Sequence, residues 1–412
     1  MSQPLFGLVG RKLGHSYSVP IHKALGNSAY RLIELEPDEL PSFFERDDIR
    51  GLNITLPYKR EAVKFCGELS PEARYICSVN TVVRDDGRLL KGFNTDLYGF
   101  RYMAEITGIR FAGKKVIIFG SGGASLMVRF AAESEGASEV VTISRTGKNN
   151  YDNLSCNYDA EIIVNATPVG MYPNTGIAVA DLSFFKKCTG VLDLIYNPRR
   201  TALLIQAESL SIPCSDGLPM LVAQAKAAEE IFFEREISDT EIERVLEELR
   251  HNMSNIVLIG MPGSGKNTVG AALSEITGRE MIDTDLEIEK RSGMSVSEIF
   301  SRYGEAEFRL RENEEILRAG SESGKIIITG GGAVKDINNY APLHQNGRIY
   351  HLTRETSLLS REGRPLSENA DLEAMHKHRL PMYKRFRDSE ICNADTPEEA
   401  AQYIWQDFCK NT

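Results

Sequence analysis

Residues 256–268 read Ile256-Val257-Leu258-Ile259-Gly260-Met261-Pro262-Gly263-Ser264-Gly265-Lys266-Asn267-Thr268. The four apolar residues predict a buried strand, and the glycine-rich stretch after them predicts a loop that opens a helix. Backbone N–H groups of such a loop cradle nucleotide phosphates, and its lysine reaches the β- and γ-phosphate oxygens. The stretch therefore predicts an ATP site in a domain with a parallel sheet, against the alternative of a turn that binds no nucleotide.

One position departs from the usual pattern of this loop. Asn267 stands where Ser or Thr normally follows the lysine and gives its hydroxyl to Mg²⁺. An amide oxygen is also a hard neutral donor, so Asn267 is expected to be a metal ligand with a different geometry. The predicted ATP-binding residues are Gly260, Gly263, Ser264, Gly265, Lys266, Asn267 and Thr268.

The rest of the chain repeats an alternation of short apolar runs with helical patterns. The runs fall at residues 4–9, 51–56, 115–119, 139–144, 161–165, 190–193, 255–259, 325–329 and 348–352. This alternation is typical of α/β layers with mostly parallel sheets. We therefore predict the α/β fold class, with a Rossmann-type nucleotide domain in the N-terminal half and a P-loop kinase fold in the C-terminal half.

A second glycine cluster follows the run at 115–119. Small residues here would let a pyrophosphate approach the backbone at a helix N-terminus, although a plain tight turn is the alternative. The next run ends in Arg145, a cation where NAD-specific folds usually place an acidic residue for the ribose 2′-hydroxyl. An arginine can pair with a 2′-phosphate, so we expect Arg145 to bind NADPH. The alternative is a solvated arginine at a strand end that binds no cofactor. The predicted cofactor residues are Gly120, Ser121, Gly122, Gly123, Ala124, Ser144, Arg145 and Thr146.

Polar side chains cluster at predicted strand ends and turns upstream of this site. They occur at residues 16–18, 53–59, 80–81 and 92–96. Each segment alone is typical of a turn or a cap, but together they suit a ligand with several hydroxyl groups. In this order, and with segments 165–171, 193–198 and 216–225, they resemble the shikimate dehydrogenase family across residues 5–235.

That resemblance implies a substrate site and a catalytic pair. Lys59 and Asp96 would be catalytic, and a lysine oriented by a carboxylate can supply the proton that carbonyl reduction requires. A surface ion pair is the alternative for these two residues. The residues implied to surround shikimate are Ser16, Ser18, Thr55, Asn80, Asn94, Asp96, Tyr196 and Gln224.

Two features depart from that family. Val19 stands where the family usually has proline after the second serine. The stretch between Arg145 and Asn165 is short, which predicts a cofactor domain that lacks an outer strand or helix.

The segments 283–285, 307–309, 330–333, 364–366 and 379–383 resemble shikimate kinase in order, across residues 255–410. The resemblance implies that Asp283 supports Mg²⁺, that Arg364 in a short lid (residues 361–364) contacts the transferring phosphate, and that Asp285 and Lys266 are catalytic. Two arginine forks suit a carboxylate, and Asp285 can orient a hydroxyl nucleophile. Surface ion pairs could explain any single arginine. The residues implied to hold shikimate are Asp285, Arg309, Gly331, Gly332 and Arg379.

Bulk properties limit the remaining possibilities. A chain of 412 residues is expected to form two or three domains. Its net charge of −10, without a basic cluster, argues against a nucleic-acid partner. The seven cysteines are scattered, no apolar stretch reaches membrane-spanning length, and no export signal is visible, so a cytoplasmic protein with small-molecule partners is expected.

The predicted domains are a dehydrogenase substrate domain (1–101 plus 217–250), an NADP domain (102–216), a linker (251–254) and a kinase domain (255–412). The predicted function is bifunctional: NADPH-dependent reduction of 3-dehydroshikimate to shikimate, then ATP-dependent phosphorylation of shikimate with Mg²⁺. One alternative is an NAD-dependent quinate/shikimate dehydrogenase fused to another small-molecule kinase. Another is an active dehydrogenase with a regulatory, catalytically weak kinase domain.

Overall fold

The computed structural model describes residues 3–14, 16–85, 89–355, 357, 371–394 and 396–412. The chain divides into two compact units. The first comprises residues 1–171 and 177–246, and the second comprises residues 172–176 and 247–412.

The first sheet of the N-terminal unit is mixed. Its strands are β1 (Leu5–Gly10), β2 (Tyr30–Glu34), β3 (Ile49–Ile54), β4 (Glu68–Leu69), β5 (Thr81–Asp85) and β6 (Leu89–Phe93), in the order β2-β1-β3-β5-β6-β4. β5 runs antiparallel to both β3 and β6, so the predicted parallel pairing holds for only part of this sheet. Its helices are α1 (Ser18–Ala24), α2 (Leu40–Phe44), α3 (Pro71–Ile76) and α4 (Asp96–Ile106).

The second sheet of this unit is entirely parallel. Its strands are β7 (Lys115–Phe119), β8 (Glu139–Ile143), β9 (Ile162–Asn165), β10 (Gly190–Asp193) and β11 (Cys214–Ser215), in the order β11-β10-β9-β7-β8. The helices that follow its strands are α5 (Gly123–Ser134), α6 (Ala202–Ser209), α7 (Leu218–Phe233) and α8 (Thr240–Met253).

This strand order is the Rossmann order without the strand that would lie outside β8. Between β8 and β9 the chain forms only a 3₁₀ segment, Tyr151–Asn157. The prediction of a trimmed cofactor domain is confirmed, because the short connection leaves no residues for a further strand and helix.

The C-terminal unit contains a third parallel sheet. Its strands are β12 (Asn255–Ile259), β13 (Met281–Asp283), β14 (Ile326–Ile328), β15 (Gly347–Thr353) and β16 (Ser389–Cys392), in the order β13-β14-β12-β15-β16. The helices are α9 (Lys266–Thr277), α10 (Thr284–Ser292), α11 (Val296–Ser321), α12 (Tyr340–His344), α13 (Leu372–Phe386) and α14 (Pro397–Asn411). Fully buried isoleucine, leucine and valine side chains of β12 and β14 form the centre of its core.

Every predicted apolar run forms a strand, with its ends shifted by at most two residues. The predicted linker begins at residue 251, but α8 continues to Met253, so residues 251–253 are helical. Its apolar spacing explains the extension, because Leu249 and Met253 are both buried and lie four residues apart. No helix in the described ranges combines the length and apolarity needed to cross a bilayer.

A buried polar pair joins α1 to α7. His22 Nδ1 lies 2.5 Å from Glu229 Oε1, and both side chains are almost completely excluded from solvent. Asn27 Nδ2 donates to the same oxygen at 2.9 Å, and the His22 ring stacks on Tyr30 with centroids 3.7 Å apart. Burial lowers the pKa of His22. The neutral imidazole and the Asn27 amide therefore depend on Glu229 as their acceptor.

We predict that Glu229→Leu destabilises the N-terminal unit. The substitution leaves two buried donors without an acceptor, at a cost of about 1–3 kcal/mol for each. Urea denaturation of the full chain, followed by circular dichroism, measures the loss. The matched control is Glu236→Leu, because Glu236 is exposed. Equal stability of the two variants would contradict the prediction.

Candidate active sites

The N-terminal unit contains a cavity of about 520 Å³. Every residue that the sequence implied for the dehydrogenase substrate lines it, except Asn94. These residues are Ser16, Ser18, Thr55, Lys59, Asn80, Asp96, Tyr196 and Gln224.

Strand pairing brings three separate segments to one wall of this cavity. Asn53 near the end of β3 pairs with Thr81 at the start of β5, and Thr81 pairs in turn with Phe93 at the end of β6. The residues just beyond these strand ends are therefore neighbours. They are the 55–59 segment, Asn80, and the 94–96 segment that begins α4.

Lys59 and Asp96 form an ion pair in this wall. Lys59 Nζ donates to Asp96 Oδ2 at 2.6 Å, and the two side chains are 27% and 16% exposed. Both side chains line the cavity, which distinguishes them from an ordinary surface pair. An ammonium held in this way can donate a proton to an oxygen of a bound molecule.

Asn80 holds the other oxygen of Asp96. Its Nδ2 donates to Asp96 Oδ1 at 2.9 Å, and its Oδ1 accepts from the backbone N–H of Thr95 at 2.7 Å. Asn80 Nδ2 also lies 3.4 Å from Gln224 Oε1 on α7. Gly99 permits the close packing of α4 on α7, since a Cβ there would collide with the backbone oxygen of Met220. Asn80 is thus a buried anchor that orients the carboxylate.

Asn94 is buried and does not line this cavity. Its Nδ2 donates to Ser78 O at 2.9 Å, whereas its Oδ1 has no hydrogen-bond partner among the described residues. Tyr196, from the segment after β10, packs edge-on against Tyr17 with centroids 5.9 Å apart, and burial raises its pKa. The phenol therefore stays protonated and can donate a hydrogen bond.

The glycine cluster after β7 forms an open turn. Gly120 adopts φ = 111°, and a Cβ there would come within 2.8 Å of Ala166 O, so this position requires glycine. A Cβ on Gly122, the N-cap of α5, would meet only open space, and Gly123 begins the helix. The first N–H groups of α5 lie next to this uncrowded turn, which fits a pyrophosphate. Ala124 also lines the substrate cavity.

Residues 144–146 follow β8, at the strand end where the ribose of a dinucleotide cofactor is expected. Arg145 and Thr146 are exposed, and the backbone N–H of Ser144 donates to Asn149 O at 3.2 Å. Because β8 is the edge strand of its sheet, the Arg145 side chain is not confined by a neighbouring strand. Its cation is available to a 2′-phosphate.

The C-terminal unit has a cavity of about 330 Å³ at the carboxyl ends of β12, β13 and β14. The P-loop follows β12, with positive φ at Gly260, Gly263 and Gly265. Lys266, the first residue of α9, is buried and donates to Gly260 O at 2.9 Å and Met261 O at 3.1 Å. Its ammonium therefore lies across the loop that would hold the phosphates.

Asn267 and Asp283 are directly hydrogen-bonded. Asn267 Nδ2 donates to Asp283 Oδ2 at 2.5 Å, while Asp283 Oδ1 caps α10 by accepting from the backbone N–H of Asp285 at 2.9 Å. Because a carboxylate can only accept, the amide turns its nitrogen to Asp283, and Asn267 Oδ1 has no hydrogen-bond partner among the described residues. Thr268 Oγ1 donates back to Gly265 O at 2.8 Å.

The remaining kinase residues surround the turn after β14. Arg379 Nη1 donates to Gly331 O at 2.9 Å, and Arg309 donates to Glu312. A Cβ on Gly332 would collide with the Arg309 guanidinium, and a Cβ on Gly331 with Pro262, so both glycines make room for their neighbours. The two arginines present cations to this cavity.

Asp285 is a buried carboxyl group in the same cavity. Burial, with Glu312 and Asp283 nearby, raises its pKa to about 7. Its Oδ1 has no hydrogen-bond partner among the described residues. This carboxyl group is therefore suited to accept a proton and to orient a hydroxyl group.

Sequence reasoning missed several residues of these sites. Lys12, Asn53 and Met220 line the first cavity, and Glu312 lines the second. Asn393 supports the P-loop, donating from Nδ2 to Ser264 O at 2.9 Å. Glu312 follows Arg309 by three residues on α11, a helical spacing that could have identified it. Arg364 and the lid at 361–364 lie outside the described residues.

Two side chains of the kinase cavity, those of Asn267 and Asp283, could bind Mg²⁺. In the ranges that the structure describes, no group of three or more His, Cys, Asp or Glu residues is placed to hold a metal. Mg²⁺ in nucleotide sites usually takes one or two protein ligands together with phosphates and water. Asn267 Oδ1 and Asp283 fit that requirement.

Comparison with known families separates the two halves. The family model for the shikimate dehydrogenase substrate binding domain matches residues 8–82, and the model for shikimate kinase matches residues 262–409. Shikimate dehydrogenase (NADP(+)) of Clostridium perfringens is 33% identical over 267 residues, which cover 60% of this chain and 98% of that protein. The Caldicellulosiruptor bescii enzyme of the same name is 35% identical over 55% of this chain and 88% of its own length.

Solved structures of shikimate dehydrogenases are similar to the N-terminal part of the chain. A chorismate mutase/shikimate 5-dehydrogenase fusion protein from Clostridium acetobutylicum aligns with a TM-score of 0.57 and 34% identity, over 60% of this chain and 97% of its own. Shikimate 5-dehydrogenase from Thermus thermophilus, in complex with NADP(H) and shikimate, aligns with a TM-score of 0.54 and 30% identity, over 59% and 98%. The chain therefore belongs to the shikimate dehydrogenase family and carries a shikimate kinase domain at its C-terminal end.

Proposed function

We propose that the N-terminal unit reduces 3-dehydroshikimate to shikimate with NADPH, and that the C-terminal unit transfers a phosphoryl group from ATP to the 3-hydroxyl of shikimate. The observation that carries the proposal is the Lys59–Asp96 pair, at 2.6 Å, in a cavity lined by the polar residues that a polyhydroxylated acid requires. The NADP-dependent relatives and the shikimate kinase match support the pairing of the two activities.

In the dehydrogenase, Lys59 delivers the proton. NADPH supplies the hydride when it is bound at the turn of residues 120–124. Lys59 Nζ then protonates the oxygen of the former carbonyl, and the negative charge of Asp96 keeps the ammonium in place. Asn80 fixes the Asp96 carboxylate from its other side, so the donor does not rotate away.

One further group is suited to substrate hydroxyls. The Tyr196 phenol lines the cavity and can donate a hydrogen bond. Asn94 does not line the cavity, so its predicted contact with the substrate stays a prediction.

In the kinase, Asp285 orients the attacking hydroxyl and accepts its proton. Arg309 and Arg379 hold the shikimate carboxylate, and Lys266 faces the phosphates. Asn267 and Asp283 would hold Mg²⁺, which neutralises phosphate charge when bound. The retention of Lys266, Asp283 and Asp285 in one cavity supports an active kinase over a purely regulatory domain.

We further propose the domain boundaries given above, with α8 as the connection between the dehydrogenase and kinase domains. The cytoplasm is the compartment that fits best, because all seven cysteines are free thiols. The partners are the small-molecule substrates and nucleotides.

A coupled assay tests the whole proposal. The purified chain, given 3-dehydroshikimate, NADPH and ATP with Mg²⁺, should release shikimate 3-phosphate, ADP and NADP⁺. Consumption of NADPH without ADP formation would instead support the alternative of a catalytically weak kinase domain.

We predict that Lys59→Ala lowers the kcat of dehydroshikimate reduction by about 10²- to 10⁴-fold, as expected for a lost general acid. Kinase activity on added shikimate should persist, and the urea denaturation curve of the variant should match that of the unmodified chain. Lys64→Ala is the matched control, because Lys64 is 69% exposed and pairs only with Glu61 among the described residues. A loss below about fivefold would contradict the role of Lys59.

Arg145→Ala should raise the KM for NADPH far more than the KM for NADH, because only NADPH carries the 2′-phosphate. Initial rates with each cofactor measure the two values. Lys187→Ala, at an exposed cation outside the nucleotide turn, should change neither. Equal effects of Arg145→Ala on both cofactors would mean that Arg145 does not contact the phosphate.

Asn267→Ser should lower the Mg²⁺ concentration required by the kinase or raise its kcat, and leave the KM for shikimate nearly unchanged. The shorter hydroxyl lets Mg²⁺ adopt near-octahedral geometry more readily than the amide does. Magnesium titrations of the rate, and calorimetry of nucleotide binding with and without Mg²⁺, measure the change. Asn338→Ser, at an exposed position, is the control. Lost activity in Asn267→Ser would identify Asn267 as the better ligand at this site.

A further inference from the structure

The dehydrogenase cavity has an excess positive charge. Its charged lining residues are Lys12, Lys59 and Asp96. Lys59 and Asp96 compensate each other at 2.6 Å. Lys12 makes no ion pair or hydrogen bond through its side chain within the described part of the chain. In a protein with a net charge of −10, this cavity therefore favours an anion through Lys12.

Lys12 is held on the same turn as the serines of the site. The backbone N–H of Leu13 donates to Glu34 Oε1 on β2 at 2.7 Å, and that of Ser16 donates to Leu13 O at 3.1 Å. Ser16 Oγ then accepts from the backbone N–H of Ser18 at 3.2 Å. The Glu34 carboxylate thus holds the backbone of Leu13, the residue next to Lys12. It makes no ion pair with Lys12 among the described contacts.

The turn is also fixed at its base. Gly10, at the end of β1, has no side chain, and a Cβ there would collide with Leu13 on one side and Thr55 on the other at 2.6–2.7 Å. Leu13 itself is buried. The backbone from Gly10 to Leu13 therefore has little freedom, and the position from which Lys12 extends is defined.

We propose that Lys12 binds the carboxylate of the dehydrogenase substrate and makes this site selective for the acid over neutral analogues. The inference rests on the proposed function, since the substrate must carry a carboxylate. That carboxylate is the only charged group of 3-dehydroshikimate, while its reacting carbonyl belongs at Lys59. Two serine hydroxyls alone would leave the anion without a counter-charge, and a hydrogen bond to a charged donor is stronger than one to a neutral donor.

The cofactor phosphates are the competing anion. Ala124, beside the nucleotide turn, lines the same cavity. The phosphates, however, have their own donors in the first N–H groups of α5. The substrate carboxylate is therefore the anion that we assign to Lys12.

The test compares full-length Lys12→Gln, Lys12→Arg and Arg11→Gln with the unmodified chain. Arg11 is the matched control, because it is the adjacent cation, is 55% exposed and pairs with Glu36 at 2.9 Å. NADPH oxidation is followed without ATP, using 3-dehydroshikimate and its carboxamide, which has the same shape but no charge.

We expect Lys12→Gln to raise the KM for the acid about tenfold, as for the loss of one hydrogen bond to a charged group, with kcat within about twofold. The KM for the carboxamide and the KM for NADPH should not change. Lys12→Arg should retain the preference for the acid, and Arg11→Gln should behave as the unmodified chain.

Three results would overturn the assignment. An equal rise in KM for acid and carboxamide would make Lys12 a structural residue. A rise confined to NADPH would assign it to the cofactor phosphates, and an unchanged KM for the acid would remove it from the site. If the unmodified chain does not oxidise NADPH with 3-dehydroshikimate, the proposed function itself fails, whereas the other results contradict only the role of Lys12.

Discussion

The order and direction of paired strands decide which strand ends meet at one edge of a sheet, and both sites of this protein depend on that constraint. In the C-terminal unit β13, β14 and β12 are adjacent, so the segments that follow them meet although they are distant in sequence. Asp283 and Asp285, the Gly330–Gly332 turn and Lys266 reach one cavity in this way. The first sheet of the N-terminal unit obtains the same result by reversing β5, which sets Asn80 between the ends of β3 and β6.

Burial then determines what these side chains can do. Asp285 loses hydration and faces other carboxylates, so its pKa rises to about 7 and its affinity for a proton increases. Asp96 is only partly buried, pairs with Lys59 and accepts from Asn80. The two aspartates are therefore suited to different tasks, one as a proton acceptor and the other as the partner of a proton donor.

The cofactor domain shows how much of a Rossmann fold can be removed while its nucleotide turn is preserved. The turn at Gly120 connects β7 to α5 and packs against the backbone of Ala166, which follows β9. Strands β7 and β9 lie in the interior of the sheet. The missing strand would lie outside β8, beyond Arg145. Without it β8 is an edge strand, so the Arg145 side chain extends from an open edge.

The sequence by itself determined the fold class, the strands at the centre of each sheet, the two nucleotide loops and the trimmed cofactor domain. These features depend on local apolar runs, on glycines at turns and on the length of a connection, which are all readable along the chain. By resemblance it predicted catalytic roles for Lys59, Asp96, Lys266 and Asp285, and these roles stay predictions. Only the tertiary structure decided that Lys59 and Asp96 touch, that the Asn267 amide faces Asp283, and that Lys12 lines the cavity without a partner in the described residues. Contacts across long sequence separations, and the burial that changes a pKa, depend on how strands pair and helices pack, and no short stretch of sequence encodes them.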